Sequence, residues 1–409
     1  MNLRSIVPSR VSSPARMFLA ASAIGGFSNG MYNVVFVLYL TSFGFDSAAL
    51  SPIIMMSPIA MFALMIPAGI LAGRFGPKRT MILLLVLGSL FSIVVVTADS
   101  VPLFMLALLL SGMIDSIANV IFGPLYASFF EVEDMDRAFS LRMFLNILTI
   151  SAGSLTGFLP PILQFGYGYS IRSAYWLVIL VSTILFFVQV PCFLYSVWTA
   201  AWTRRRENGF KNNLKSKRVV GKFALLSLLS SIGFGMFFNF FPYYVNKKFG
   251  LESDALGGLY SVSNLLRAGA SLLAPRISQK TGTLKAIAGA LLLCAPFYFM
   301  IPLAPDFMWV SLFYSIRLFI GHVSSPLAGS LFMKLLYPEE RATASSFTAM
   351  AYQGGYVAAP LIGAQLMEQV SLDAPAFLGS GVYALYGSAY YLLLKNEIVK
   401  QEDKKQTTA

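Results

Sequence analysis

Ionisable and metal-binding residues are scarce in this chain. Of its 409 residues 12% are charged, with 18 acidic side chains, a single histidine and two cysteines. So few charges cannot cover the surface of soluble domains of this length. The lone histidine and two cysteines supply neither a disulfide framework nor a metal-ligand spacing, so no metal is expected. Cys192 and Cys294, both inside apolar runs, read as small packing residues. No Gly-x-x-x-x-Gly-Lys-Ser/Thr phosphate loop occurs, and no polar stretch is long enough for a nucleotide-hydrolysing domain. No nucleophile and base lie together in a polar region, so the sequence does not read as an enzyme and no cofactor is expected. Runs such as 81–96 lack a period of two, which excludes a barrel of membrane strands.

What the chain has in abundance is apolar length. The apolar share is 57%, gathered in stretches of about 20 to 27 residues between short charged or Gly/Pro-rich breaks. The pattern predicts an all-α integral membrane protein with twelve transmembrane helices near 17–43, 47–72, 79–98, 102–128, 139–163, 173–197, 222–247, 255–277, 284–303, 307–333, 343–368 and 374–395. Of the 30 Lys and Arg residues, 25 fall at the termini and in the even-numbered loops, which puts both termini in the cytoplasm. The net charge of +12 is therefore a matter of topology and not of a nucleic-acid surface. A short basic N-terminal tail runs into a span too long for a signal peptide and without a small-residue cleavage site, so it is expected to stay attached. The expected location is the cell membrane, as a multi-pass protein in the lipid bilayer.

The longest charged segment, 203–221, reads as a cytoplasmic linker between a six-helix bundle at 1–202 and a second at 222–396, with a cytoplasmic tail at 397–409. Phe43-Gly44-Phe45 with Leu50 recurs as Phe249-Gly250-Leu251 with Leu256, at an offset of 206 that Asn33 and Asn239, and Gly76 and Gly282, also share. Arg137-Ala138 returns as Arg341-Ala342 at an offset of 204. The two bundles are thus pseudo-symmetric repeats, an arrangement in which solute sites lie near mid-membrane between repeats.

Residues 69–79 read G-I-L-A-G-R-F-G-P-K-R. This resembles the loop signature G-x-L-a-D-r-x-G-r-k of the major facilitator superfamily, at the place where that family carries it. A weaker copy at 276–285, the acidic-then-Arg loops at 131–137 and 338–342, and Gly355-x-x-x-Ala359-Pro360-x-x-Gly363 are similar to that family too. The resemblance covers nearly the whole chain. It implies the superfamily fold, secondary transport by alternating access, and gating roles for Arg74, Gly76, Lys78, Arg79, Arg137 and Arg341. One departure stands out: Gly73 occupies the position of a carboxylate that, in the family, helps latch the cytoplasmic side.

Polar groups inside the spans are the candidates for function, since a charge at mid-bilayer costs about 3 kcal/mol on insertion scales. Asp115 is the one acidic residue at the middle of a span, and Ser111, Asp115, Asn119, Phe122 and Tyr126 fall on one helical stripe. Arg317 stands nine residues before Pro326 as Asp115 stands nine before Pro124, so opposite charges occupy equivalent places in the repeats. By the resemblance, spans 1, 4, 7 and 10 line a central cavity. Asp115 is the expected proton-coupling residue, and Asn29, Asn33, Asn119, Tyr126, Asn239, Tyr243, Arg267, Tyr314 and Arg317 are the expected substrate contacts. His322 lies about 140° around the helix from Arg317 and is expected to serve packing.

The expectation is a monomeric secondary transporter exporting amphipathic compounds with proton coupling, since 35 Phe and 18 Met suit an adaptable apolar pocket. The alternative is an organic-anion or sugar-type carrier using Arg267 and Arg317. A transport-inactive sensor or scaffold lacks a soluble interaction domain, because the longest polar stretch is about 20 residues.

Overall fold

The computed structural model describes residues 11–127, 129–130, 135–199, 216–337 and 340–408. Side chains at 66, 69–74, 76–78, 120, 123–124, 127, 135–137, 139–140, 268, 271–272, 275, 341–343 and 398–408 are outside the description. The described residues form helices and turns, with no strand among them.

Along the chain run α1 (Ser13–Thr41), α2 (Ser47–Thr97), α3 (Val101–Ala127) and α4 (Met135–Ser154), then a single 3-10 turn, Leu155–Phe158, leading into α5 (Leu159–Tyr167) and α6 (Ile171–Thr199). After the linker come α7 (Lys217–Phe238), α8 (Phe241–Phe249), α9 (Ser253–Thr281), α10 (Thr283–Leu303), α11 (Phe307–Leu335), α12 (Arg341–Gln369) and α13 (Ala374–Thr408). Local chemistry sets several boundaries. Ser12, Asp46 and Asp306 cap α1, α2 and α11 by accepting from Ala15, Ala49 and Trp309 backbone N–H groups. Gly168 ends α5 in the left-handed region at φ 74°.

Among the described residues ten segments are long and apolar enough to cross a bilayer, including 141–167 across α4 and α5, and 217–249 across α7 and α8. The sequence reading expected twelve. The other two, α9 and α12, have 29 residues each and the necessary length. Their Ser, Gly, Asn, Gln and Arg content makes them less apolar.

The expected loop at 73–78 carries helical hydrogen bonding, so α2 runs for 51 residues. Arg74, Lys78 and Arg79 favour helix, and Pro77 suits the first turn of the stretch that follows it. A straight helix of this length would span about 77 Å, more than twice a hydrocarbon core of about 30 Å. Its two apolar stretches, Ser47–Met65 and Arg79–Thr97, are separate candidate spans. Ala68 and Met81, one beside each stretch, share one core cluster with Phe18, Leu125 and Tyr126.

Packing divides the chain into two compact units: 1–207 with 245–265, and 208–244 with 266–409. The expected linker falls largely at 200–215, outside the described residues. In the first unit the main contacts are α2 on α3, and α1 on α6 and α4. Segment 245–265 packs with this unit through a seam of hydroxyls and glycines. Ser253 Oγ donates to the Gly157 carbonyl at 2.7 Å, Ser151 Oγ donates to the Ser261 carbonyl at 2.9 Å, and a Cβ on Gly257 would lie 2.5 Å from the Ser154 carbonyl. Gly153 likewise backs onto the Phe27 carbonyl of α1, a close approach that the lack of a side chain permits. Arg172, at the start of α6, donates to the Ser42 carbonyl through Nε and Nη2 at 3.2 and 2.6 Å and covers the Phe43 ring, fixing the α1–α2 turn.

In the second unit α12 packs on α7, while α10 packs on α13 and α11. Gly355 and Gly363 of α12 back onto Ser231 and Met236 of α7, where any side chain would collide. The core gathers Val220, Phe223, Ala270, Ala274, Ile287, Leu291, Leu327, Phe332 and Tyr390. At its basic end Lys222 Nζ sits 2.6 Å from Glu397, and the buried Glu340 carboxylate accepts the Ser216 N–H at 3.0 Å, at the start of α7.

Candidate substrate site

In the first unit two asparagines of α1 lie on its exposed side. Asn33 Nδ2 donates to Asn29 Oδ1 at 2.7 Å, and both side chains are exposed. On α3, Asp115 and Asn119 are exposed as well, one turn apart. Tyr32 of α1 lies within electrostatic reach of Asp115, and its hydroxyl is buried without a hydrogen-bond partner among the described residues. These groups form an open polar face on α1 and α3. Tyr126, expected on the same stripe, sits elsewhere: it is fully buried, stacked on Phe18 at 5.0 Å, and donates its hydroxyl to the Ala138 carbonyl at 3.0 Å. The α3 stripe turns into core over its last turns because Phe18, Phe122 and Phe193 close over it.

In the second unit the dominant feature is Arg317 of α11, 3% exposed. Its guanidinium carbon lies 4.1 Å from the Phe238 ring centre, 4.6 Å from Tyr383, and 5.4 Å from both Phe234 and Tyr298. The guanidinium also donates to the Tyr383 hydroxyl, while Nε has no partner among the described residues. The rings offer their negative faces to the cation in place of water. No carboxylate of this unit is among the groups that act on Arg317. Cys294 donates its S–H to the Arg317 carbonyl at 3.4 Å, the packing role expected for it.

Around this centre Tyr314 stacks on Phe241 at 4.6 Å and is half-buried. Asn239, at the end of α7, accepts from the Tyr356 hydroxyl at 2.6 Å, leaving its own buried Nδ2 without a partner among the described residues. Tyr243 is buried. Arg267 of α9 is half-buried, and its Nε donates to His322 Nε2 at 2.9 Å, which requires an unprotonated Nε2. His322 thus anchors a cation rather than merely filling space. The sequence reading missed Phe234, Phe238, Tyr298, Tyr352, Tyr356 and Tyr383. A signal existed in the tyrosines at 383, 386 and 390, which share a helix face, and at 352 and 356 one turn apart. Among the expected gating residues Arg79 is exposed; Arg74, Gly76, Lys78, Arg137 and Arg341 lie outside the residues whose side chains are described.

A family model of the Major Facilitator Superfamily matches residues 18–360. That is most of the chain, and the protein belongs to this superfamily of transporters. It is a multi-pass membrane protein that carries a small molecule, and not an enzyme. No curated protein matches the chain. Among solved structures, the POT family transporter PepTSo is similar at a TM-score of 0.72 and 13% identity, covering 94% of this chain and 98% of its own. The nucleoside transporter NupG is similar at 0.70 and 12% identity, covering 95% and 99%. The human organic anion transporter MFSD10 (TETRAN) is similar at 0.64 and 16% identity, covering 92% and 99%. At these identities the likeness establishes the fold alone.

Proposed function

We propose that this protein is a secondary active transporter of amphipathic organic anions, working by alternating access. The observation that carries the reading is Arg317: a fully desolvated guanidinium, enclosed by four aromatic rings, with an unpartnered Nε. A buried cation held by rings and one tyrosine hydroxyl is short of a counter-charge among the described residues, and a carboxylate, sulfonate or phosphate on a solute supplies one with charge-assisted hydrogen bonds. Half-buried Tyr314 and Tyr356 and the more exposed Tyr352 offer flat apolar surface for the rest of such a molecule. Asn239 and its unpartnered Nδ2 add a donor.

A second reading, proton-coupled export of amphipathic compounds, is supported by Asp115. It is the single acidic residue in mid-span, on an open face near a tyrosine hydroxyl that lacks a partner. The two readings combine if Asp115 exchanges a proton while Arg317 holds the solute. The basic residues support termini in the cytoplasm of a cell membrane, and the protein is proposed to act as a monomer.

The test is counterflow in proteoliposomes with matched sets of aromatic carboxylates, their neutral amides and their cationic amines. A hydrogen bond to a charged group contributes about 1.5–3 kcal/mol, so carboxylates should outpace amides by roughly 10- to 150-fold at limiting concentration. Equal flux of the three sets, or preference for the amines, removes Arg317 as the recognition group. An imposed pH gradient that leaves carboxylate accumulation unchanged removes Asp115 from coupling.

A further inference from the structure

A cavity that Arg317 does not line opens on the flank of the second unit between α10 and α13. Its volume is about 400 Å³, and it is lined by Lys285, Ala288, Gly289 and Leu292 of α10 and by Ser388, Tyr391 and Leu392 of α13. The spacing makes it a lengthwise furrow: positions 285, 288, 289 and 292 share one face of α10, and 388, 391 and 392 share one face of α13. The furrow exists because the helices meet closely at one point and carry small residues beside it. A Cβ on Gly387 would lie 2.9 Å from the Leu292 backbone N, whereas a Cβ on Gly289 would meet nothing within 4 Å. Leu292 and Leu392 stand up as walls, 41% and 69% exposed.

An apolar furrow at this depth does not hold water well, since it offers few polar partners, and left empty its walls lose dispersion contacts. An alkyl chain fits it. The mouth has a different character. Lys285, in the first turn of α10, is exposed, and Lys395 of α13, one turn beyond Tyr391, places its Nζ 5.9 Å from the Tyr391 ring centre. Neither lysine has an ion-pair partner among the described residues. The nearest carboxylate in sequence, Glu397, is bound by Lys222 at 2.6 Å and Arg218 at 3.5 Å. From Lys285 to Leu292 the furrow runs about 10 Å into the span. Two unpaired cations at the mouth of an apolar slot, at the basic end of the helices, match the shape and charge of one kind of molecule.

We propose that the second unit binds one anionic phospholipid here, with its phosphate between Lys285 and Lys395 and an acyl chain lying over Gly289 between Leu292 and Leu392. Juxtamembrane basic pockets recognise such headgroups through the same combination of charge and apolar burial. The site is independent of the transported solute, so it stands or falls separately from the anion-transport reading.

The experiment is native mass spectrometry of the purified full chain titrated with phosphatidylglycerol, phosphatidylcholine or inorganic phosphate. The parent should retain one phosphatidylglycerol in preference to phosphatidylcholine. In the Lys285→Gln, Lys395→Gln double variant that preference should fall roughly thirty-fold, from two lysines each interacting with the headgroup. Gly289→Leu, which fills the furrow, should remove adducts of both lipids while the thermal midpoint holds. If Gly289→Leu fails to fold, Leu392→Trp provides the same test: phosphatidylglycerol brominated on its acyl chain should quench the added indole. An unchanged preference in the double variant, or an unquenched Trp, overturns the proposal. Competition by inorganic phosphate with no effect of filling the furrow overturns it too, because the site would then be an ion site and not a lipid site.

Discussion

Replacing Arg317 by methionine separates recognition from stability. The side chain is 3% exposed, so its charge has lost nearly all its water. Such desolvation costs several kcal/mol even after relaxation. Against this stand four ring contacts. Those at 4.1 and 4.6 Å are desolvated and close, worth about 2 kcal/mol each, and the two at 5.4 Å contribute about 0.5 kcal/mol each. The sum, about 5 kcal/mol, roughly cancels the desolvation. Methionine keeps most of the volume and makes favourable sulfur–aromatic contacts with the same rings. The solute-free protein should therefore change in stability by no more than about 1.5 kcal/mol in either direction. Substrate-induced stabilisation should vanish, because only the parent gains charge-assisted bonds to a solute anion. The assay is thermal unfolding in detergent with and without the best-transported carboxylate, beside counterflow. A large loss of stability in the solute-free variant would refute the reasoning and make Arg317 a structural keystone. Retained stabilisation by the carboxylate would refute it from the other side.

Asp115→Asn should fold and exchange solute downhill but lose accumulation driven by a pH gradient; full accumulation would reduce Asp115 to a packing role. Gly363→Ala in α12 and Gly153→Ala in α1's neighbour α4 place a methyl against the Met236 and Phe27 carbonyls, so each should cost about 1–3 kcal/mol in thermal unfolding, with Gly289→Ala as the silent control. Glu252, in the turn before α9, has its carboxyl pushed above the ordinary range by burial and then by Asp254, and its Oε2 lacks a hydrogen-bond partner among the described residues. A raised folded-state value means stability is lost as pH rises from the unfolded value, about 4.3, through the folded one. Glu252→Gln should therefore raise the unfolding midpoint at pH 8 and leave it unchanged at pH 4; an equal shift at both would show that charge is not the cause.

The helical architecture was legible because bilayer-length apolar runs leave few alternatives. The spans α9 and α12 show where hydropathy weakens as a guide: each has bilayer length but carries Ser, Gly and Arg among its apolar residues. Charged site residues were legible singly, because Asp115 and Arg317 violate the apolar pattern around them. What surrounds them was not. Phe234, Phe238, Tyr298 and Tyr383 look like ordinary apolar content, and three of the four come from helices far from Arg317 in sequence order, so only folding brings them to one guanidinium. Tyr126 illustrates the reverse. Its stripe position was right, yet the stripe passes into core at Phe18, which periodicity alone does not reveal.

The ring enclosure of Arg317 also bears on turnover. A cation that met each incoming solute with its hydration shell intact would have to shed that water, and regain it, in every cycle. Here the rings already stand in for that water in the structure described. If Arg317 receives the solute as proposed, each passing molecule contributes only its own dehydration, and release does not wait for solvent to re-form around the arginine.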